Sequence, residues 1–254
     1  MSSVARHLER TKGSTRSKDL CRCRVERVAQ VSPTVKLLQL STESSHFNFK
    51  PGQWVDFFIP NTTLVGGYSM CSAPDPHYFE LAVKFSLHPP THWIHSACKV
   101  GDRPLVRVGG DKWLDPKTTT AKVVILLAGG RGVNPLLSIL RAGAGTNTVF
   151  HLLYSVKTLE ELVFWAEIEE LRSVHRNIVA EYHMTDKFPD YLGPKLTESF
   201  REGRITPDQI NCLLLEYQKT VDIEDMRMFV CGPPKMIELF DRNVDIKCDF
   251  EKWW

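Results

Sequence analysis

An unbroken apolar run that ends in glycines, VVILLAGG at residues 123–130, is the feature that most constrains how this chain can fold. A strand without alternating polar residues is typical of parallel sheets that helices cover on both faces. A helix is predicted directly afterwards, because Asn134 is a suitable N-cap and Pro135 suits a first helical turn. Apolar strands and helical segments then alternate to the end of the chain, which predicts βαβ units and a parallel sheet.

Two sequence patterns predict where later helices begin in this half of the chain. Thr158 is followed three residues later by Glu161, and Thr206 is followed at the same spacing by Gln209. A Thr with Glu or Gln at this spacing can form a capping box, in which each side chain accepts a hydrogen bond from the other residue's backbone N–H. We therefore predict helices that open at Thr158 and at Thr206.

The preceding part of the chain has a different pattern. Short alternating segments are separated by Gly, Pro, Asn and Asp, which predicts a small antiparallel barrel or sandwich. One short helix, beginning at Thr91, is expected to interrupt the strands. The pattern changes near residues 118–120, so we predict a basic arm at residues 1–19, a β-rich domain at residues 20–118 and an α/β domain at residues 119–254.

Charge, hydropathy and cysteine content exclude several classes of function. The formal net charge is +2, which is too small to indicate a nucleic-acid partner. No apolar run approaches the roughly 18 residues that a membrane-spanning helix needs, so no membrane span is expected. The seven cysteines are scattered, and the close pair Cys21 and Cys23 has no second pair at zinc-binding spacing. Neither a disulfide framework nor a metal site is therefore predicted.

The first nineteen residues are rich in Arg, Lys, Ser and Thr and lack apolar periodicity. One interpretation is a flexible, solvated arm. The other is the remnant or tail of an organelle transit peptide, because such segments are rich in Arg and Ser and poor in acidic residues. On the second interpretation the protein is mitochondrial, and otherwise we expect a cytoplasmic location.

Glycines separate the apolar strand from the helix that follows it, in AGGRGVNP at residues 128–135. The N–H groups at a helix N-terminus carry partial positive charge, and preceding glycines let an anion approach closely. Ligands of open parallel sheets bind at the carboxyl ends of the strands. Gly129, Gly130 and Gly132 could therefore face a diphosphate, although an ordinary glycine turn between a strand and a helix would look the same.

A second segment of this kind is VCGPPKM at residues 230–236, which also joins a predicted strand to a predicted helix. Its position places Cys231 at the mouth of the same crevice. The cysteine could lie against the reactive end of a ligand, or it could be a small buried apolar side chain. The sequence alone leaves both interpretations open.

Six segments occur in an order that resembles the ferredoxin–NADP reductase family, which includes cytochrome b5 reductase-like flavoproteins. They are FKPGQWVDFFIP, GGYSMCSAP, HPPTHWIHSACKVGD, AGGRGVNPLLSIL, YSVKT and FVCGPPKM. The resemblance covers about residues 20–254. It implies two domains: an FAD-binding antiparallel β-barrel, followed by a nucleotide-binding α/β domain with a parallel sheet. It also implies hydride transfer between NAD(P)H and FAD, with electrons passed to a separate acceptor.

The resemblance assigns the flavin contacts residue by residue. Tyr68 would pack on the isoalloxazine ring, and the Ser69 hydroxyl would reach its N5 edge. Thr91 would begin a helix that faces the flavin phosphates. Trp254 would place an aromatic ring over the flavin. Ser69 is one of the two residues that the resemblance implies in catalysis.

The resemblance likewise assigns two loops to the pyridine nucleotide, and Cys231, near the nicotinamide, is the second residue implied in catalysis. The residues implied in nucleotide binding are Gly129, Gly130, Arg131, Gly132, Val133, Asn134, Cys231, Gly232, Pro233 and Met236. The segment after LLYS offers Lys157 alone, followed by Glu160 and Glu161, and two acids disfavour a second phosphate. NAD is therefore favoured over NADP.

The chain also departs from the family pattern. The arginine that holds the flavin phosphate is Gly66 here, and the glycines before the helix are Pro89 and Pro90. Lys84, Arg107 or a histidine of HPPTHWIH could supply the missing charge. A loosely held flavin is one consequence. The alternative is a non-enzymatic protein, a sensor or assembly subunit, that binds a dinucleotide and has a degenerate flavin site.

Overall fold

The computed structural model of the protein describes residues 6–44, 46–186 and 200–250. The chain divides into two compact units. Within the described residues, the first unit holds those up to Asp115 together with Leu137–Ala142, and the second holds the remainder from Pro116 onward. Among the described helices, none combines the length and the apolar composition that crossing a bilayer requires.

Six antiparallel strands build the first unit. They are β1 (Cys21–Ser32), β2 (Val35–Thr42), β3 (Trp54–Phe58), β4 (Val65–Ser69), β5 (Tyr78–Lys84) and β6 (Leu105–Gly109). Their order is β4-β3-β6-β1-β2-β5, and a bridge between Met70 and Leu81 joins the end of β4 to β5. This bridge closes the sheet into the antiparallel barrel that the sequence predicts.

Alternation along β3 separates the barrel interior from its outward face. Val55 and Phe57 are fully buried in the core cluster of the barrel. Trp54 and Asp56 point the opposite way, since successive side chains of a strand alternate between its faces. Both are nevertheless buried. Something other than the barrel core therefore covers the outward face of β3.

The N-terminal arm provides this cover, which differs from the solvated arm expected from sequence. Arg6–Arg10 forms a short helix, α1. After it, the chain runs beside β6, where the Ser17 N–H donates to Val108 O over 2.8 Å and the Gly110 N–H donates to Thr15 O over 3.0 Å. The basic composition that suggested a solvated arm thus has a structural use, because Arg16 binds the barrel.

One helix interrupts the described strands of the barrel, as predicted, but it begins two residues before Thr91. This helix, α2 (Pro89–Ser96), follows an extended His88. The rings of Pro89 and Pro90 hold the backbone at helical φ values, so they can form the first turn. Because proline has no N–H, Thr91 is the first residue of α2 with a backbone donor.

Six parallel strands build the sheet of the second unit, which confirms the predicted α/β architecture. They are β7 (Val123–Gly129), β8 (Val149–Val156), β9 (Ile178–Met184), β10 (Phe200–Glu202), β11 (Met226–Cys231) and β12 (Cys248–Phe250). Their order is β10-β9-β8-β7-β11-β12, with every pairing parallel. Strand β7 is buried at every position, as the continuous apolar run indicated.

In the part of the chain that the structure describes, four helices connect these strands: α3 (Val133–Gly143), α4 (Trp165–Val174), α5 (Pro207–Gln218) and α6 (Pro234–Asn243). The N-terminus of α5 confirms one predicted capping box, since Thr206 and Gln209 exchange side-chain to backbone hydrogen bonds. Asn134 is not the N-cap of α3, because the helix already includes Val133 and Gly132 takes that position.

The capping box predicted at Thr158 is wrong. Leu159–Glu161 forms only a short 3₁₀ turn, and Thr158 makes no side-chain capping bond. Helix α4 begins later, at Trp165, after Phe164 adopts a left-handed backbone with φ of 71°. That conformation cannot be part of a right-handed helix, so it separates the turn from α4.

Candidate functional site

The carboxyl ends of three strands meet at one edge of the second sheet. The parallel register places Gly129 of β7 beside Ser155 of β8, and Ala128 of β7 beside Cys231 of β11. The chain passes from β7 to β8 on one side and later reaches β11 on the other side of β7. Such a reversal of strand order opens a crevice for ligands at the carboxyl edge. The two predicted nucleotide loops flank this position.

These two loops pack on each other through glycines. A Cβ on Gly132 would collide with the Cys231 carbonyl group, which is backbone and cannot turn aside. A Cβ on Gly129 would lie 2.5 Å from the Met236 sulfur, and one on Gly232 would lie 2.8 Å from the same atom. Three glycines that the sequence assigned to a nucleotide therefore have a packing reason to lack a side chain.

Gly130 differs from the other glycines of the loop. Its φ is +52°, and a Cβ there would meet nothing within 4 Å. It lies in a 3₁₀ turn, Gly130–Gly132, that leads directly into α3. Space beside a glycine backbone at the start of a helix is what close approach of a phosphate requires. Of the predicted glycines, Gly130 is the one whose surroundings fit a bound anion.

The other predicted nucleotide contacts differ in exposure. Arg131 and Pro233 are exposed, and Asn134 and Met236 are half-buried. Val133 is buried and packs as a core side chain. Cys231 is 5% exposed at the end of β11, so the structure agrees with its interpretation as a small buried side chain.

In the first unit, the structure brings two predicted flavin residues together. The Tyr68 hydroxyl lies 3.2 Å from the Thr91 hydroxyl, so β4 and the first turn of α2 share a hydrogen bond. Burial raises the pKa of Tyr68 to about 12, although the bond to Thr91 opposes this rise. The Tyr68 phenol therefore stays protonated at neutral pH and can donate a hydrogen bond.

Gly66 has a structural role that the sequence did not indicate. A Cβ on Gly66 would lie 2.6 Å from the Tyr68 ring, because the ring leans back along β4 and covers the glycine. An aromatic ring over a strand glycine replaces the packing that the glycine lacks. The absent arginine and the position of Tyr68 are therefore linked, since any side chain at residue 66 would displace the ring.

The other two predicted flavin contacts are placed differently. Ser69 follows Tyr68 in β4, and alternation directs its side chain to the opposite face of the strand, the one that carries Gly67. The structure therefore separates Ser69 from the face that holds the Tyr68–Thr91 pair. Trp254 lies outside the described residues.

A buried carboxylate that the sequence analysis missed lies on that outward face. Asp56 is 0% exposed and accepts hydrogen bonds from three side chains: from His7 over 2.7 Å, from Arg16 over 2.9 Å and from Arg107 over 2.9 Å. Burial alone would raise the pKa of Asp56, but these bonds outweigh it and hold the pKa at about 2. An acid within the aromatic strand WVDFF was the sequence signal for such a cluster.

This cluster removes one candidate for the missing flavin-phosphate charge. Arg107 is held by Asp56 on the outward face, opposite Tyr68. His95 donates a hydrogen bond to Val83 O over 2.8 Å. The prolines of α2 also lack the N–H groups that a phosphate would use. The residues predicted to contact the isoalloxazine ring therefore fit that ring better than the residues near the predicted phosphate position fit a phosphate.

A second missed cluster holds the chain directly after Ser69. Arg141 donates to Cys71 O over 2.7 Å and pairs with Glu80 over 2.8 Å, and Ser138 donates to Ser72 O over 2.7 Å. Burial opposes ionisation of Glu80, but bonds from Tyr78, Gln39 and Arg141 lower its pKa overall. This segment of the flavin motif is therefore fixed by side chains that no local pattern predicts.

Comparisons with known proteins agree with this fold. The family model described as oxidoreductase NAD-binding domain matches residues 126–242. Among solved structures, the ferredoxin reductase in carbazole 1,9a-dioxygenase superposes with a TM-score of 0.74 at 20% identity, covering 93% of this chain and 70% of that chain. At this identity the likeness establishes the fold alone, and it confirms the resemblance to ferredoxin reductase-like flavoproteins.

Curated relatives give the family. NADH-cytochrome b5 reductase 3 of Rattus norvegicus is 28% identical over 52% of this chain and 41% of that protein. Oxidoreductase NAD-binding domain-containing protein 1 of Danio rerio is 37% identical over 98% of this chain and 97% of that protein. From its barrel, its parallel sheet and this near full-length match, we conclude that the chain belongs to the family of oxidoreductase NAD-binding domain-containing protein 1.

Proposed function

We propose that the protein is an NADH-dependent flavoprotein oxidoreductase that passes a hydride from NADH to bound FAD, and electrons on to an acceptor not yet identified. The meeting of Tyr68 with Thr91 carries this proposal. These residues come from two separate flavin motifs, 23 positions apart, and the fold brings their hydroxyls together. The family match and the names of its relatives support the same class of reaction.

Each unit contributes its own groups to this function. Bound FAD would accept the hydride and release electrons to the acceptor. Tyr68 would pack its ring against the isoalloxazine, and Thr91 would hold the Tyr68 hydroxyl in place. Gly130 would admit the nucleotide diphosphate to the N-terminus of α3, and Cys231 would border the nicotinamide. Ser69 remains a proposed contact of the flavin edge.

Flavin content and NADH oxidation test the proposal directly. We expect purified protein to take up FAD and to reduce ferricyanide at the expense of NADH, and we expect Tyr68→Ala to lose most of that uptake. Leu87→Ala is the matched control, because Leu87 is 82% exposed. Protein that takes up no FAD and oxidises no NADH with ferricyanide or a quinone would overturn the proposal.

A second candidate function is a non-enzymatic dinucleotide-binding protein. The observation that favours it is the weak phosphate side of the flavin site, where Gly66 lies under an aromatic ring and two prolines begin α2. It predicts that NADH binds the second unit and is not oxidised by any acceptor. NADH binding measured by calorimetry, without turnover, would favour this alternative.

We also propose NAD as the nucleotide and a mitochondrial location. Glu160 is exposed in the turn after β8, and the Lys157 N–H donates to a Glu161 carboxylate oxygen over 3.4 Å. Both acids would oppose a 2′-phosphate, so NADH should bind more tightly than NADPH. The location rests on the basic arm, and fractionation of cells that express a tagged protein tests it.

The phosphate side of the site predicts weak discrimination among flavins. A charge-assisted hydrogen bond is worth about 1.5–3 kcal/mol, so a full phosphate clamp would favour FMN over riboflavin by several hundredfold or more. Without the arginine and the N–H donors, we expect the two affinities to differ by about tenfold or less. Fluorescence titration with both ligands measures the ratio. A ratio above about a hundredfold would mean that another cation, such as Lys84, holds the phosphate.

Restoring the family arginine should not restore flavin affinity. Gly66→Arg places a side chain where the Tyr68 ring lies, so the ring must leave Thr91. We expect the variant to lose about 1–3 kcal/mol of stability and to bind FAD no better than the unchanged protein. Gly66→Ala is the control, because it adds the steric conflict without the charge. Tighter FAD binding by Gly66→Arg alone would show that charge, and not ring placement, limits the site.

A further inference from the structure

We infer that the N-terminal arm is a positioning element for the flavin strand: His7 and Arg16 anchor the arm on β3, the His7 ring lies against β4 from the outward face, and residue 67 is glycine because that ring lies on it. The effect on flavin binding rests on the proposed function. The contacts between the arm and the barrel do not depend on it. His7, Arg16 and their partners are called the arm clasp below, and its partners are Trp54, Asp56, Gly67 and Arg107.

The centre of the arm clasp is the Asp56 carboxylate. His7 Nε2 lies 2.7 Å from one carboxylate oxygen, and Arg16 Nε and Arg107 Nη2 lie 2.9 and 2.7 Å from the other. Arg107 comes from β6, whereas His7 and Arg16 come from the arm. The Asp56 carboxylate therefore binds the N-terminal arm, which is 40 to 49 residues away in sequence, to the middle of β3.

Ring contacts complete the arm clasp. The His7 ring meets Trp54 edge to face, with centroids 5.2 Å apart, and the Arg16 guanidinium lies 4.9 Å from the centroid of a Trp54 ring. A Cβ on Gly67 would overlap sterically with the His7 ring. The backbone of Gly67 has no positive φ, so a conformational need for glycine does not explain this residue. The space taken by the His7 ring explains why residue 67 is glycine.

The arm clasp covers the outward face of β4, and Tyr68 lies on the inward face of the same strand. Gly66 and Tyr68 lie on the inward face of β4, while Gly67 and Ser69 lie on the outward face, next to Asp56 and Trp54 of β3. Strand β4 is five residues long and pairs along its length with β3, reaching β5 through the single bridge after its end. A short strand with one full neighbour gains most from additional contacts.

A double-mutant cycle on His7 and Gly67 tests this inference. Gly67→Ala in the otherwise unchanged protein should lower Tm by about 3–6 °C, because the methyl group expels the His7 ring. His7→Ala should lower Tm by a similar amount. The double variant should have the same Tm as His7→Ala, because the ring that conflicts with the new methyl group is gone. If the two decreases in Tm add fully in the double variant, the arm clasp is overturned.

Proteolysis and flavin release supply the other readouts. Trypsin should cleave the arm faster in His7→Ala and in Gly67→Ala, whereas the control Lys18→Ala, at an exposed arm position, should leave the rate at the remaining sites unchanged. FAD should dissociate about tenfold faster from both clasp variants, equivalent to about 1.4 kcal/mol. His7→Gln keeps a donor to Asp56 and should recover part of this loss, whereas His7→Phe keeps only the ring.

The outcomes separate this inference from the proposed function. If FAD binds the unchanged protein and leaves all clasp variants at the same rate, the positioning role is overturned and the proposed function stands. If the unchanged protein binds no FAD, the proposed function fails together with the positioning role. The thermal cycle then still decides whether the arm holds β4.

Discussion

Replacing Asp56 with asparagine should lower the free energy of unfolding by about 3 kcal/mol, because the change leaves two guanidinium groups facing a neutral amide. Arg16 and Arg107 both depend on this carboxylate, and their side chains are 14% and 29% exposed, so water only partly replaces it. Urea unfolding of the variant measures the loss. Asp19→Asn, at an exposed arm residue, is the matched control and should change stability little.

The pH dependence of stability gives an independent check on Asp56. Its pKa is lowered from 3.8 to about 2 in the folded protein. A carboxyl with a depressed folded pKa adds stability above its unfolded pKa, and this contribution is lost as pH falls toward the folded pKa. The unchanged protein should therefore lose more stability than Asp56→Asn between about pH 4 and pH 2. Identical acid profiles would contradict the assigned ion pairs.

Gly132→Ala should disrupt the nucleotide edge more than any other small change in the second unit. Its methyl group would enter the Cys231 carbonyl group, so the two loops could no longer pack together. We expect a loss of about 3 kcal/mol in stability and about a hundredfold weaker NADH binding. Thermal unfolding and NADH titration measure these two effects. Unchanged NADH affinity would mean that the loop contact does not shape the binding edge.

Gly130→Asn is the comparison that separates packing from ligand contact. Asparagine tolerates a left-handed backbone, and no protein atom lies near the added Cβ. Its stability should therefore fall by only about 1 kcal/mol. NADH binding should fall markedly, because the side chain would occupy the space where a diphosphate approaches. NADH affinity equal to that of the unchanged protein would remove Gly130 from the site.

The fold was predictable where the pattern of the sequence is local and repeated. The apolar run of β7 predicted a strand buried on both faces, and strand–helix alternation predicted a parallel sheet. The capping box at Thr206 formed, while the same pattern at Thr158 did not, because Phe164 takes a left-handed backbone between the turn and α4. A local pattern does not reveal such an interruption.

The site was predictable only in part, because side-chain partners distant in sequence decide its details. The resemblance selected Tyr68 and Thr91 as flavin residues, and the structure pairs them. It could not show that Gly66 lies under the Tyr68 ring or that Gly67 lies under His7. In the sequence Gly66 stands where the family has a charged residue, whereas in the structure it has a packing role under the Tyr68 ring.

The central claim is that this protein takes a hydride from NADH through a bound flavin, and anaerobic titration tests it most directly. Protein loaded with FAD is mixed with NADH without oxygen, and the flavin absorbance near 450 nm, an approximate band position, is followed together with NADH consumption. We expect the band to bleach with one NADH consumed per flavin, and to return when ferricyanide is added. Unchanged flavin absorbance in the presence of bound NADH would contradict it.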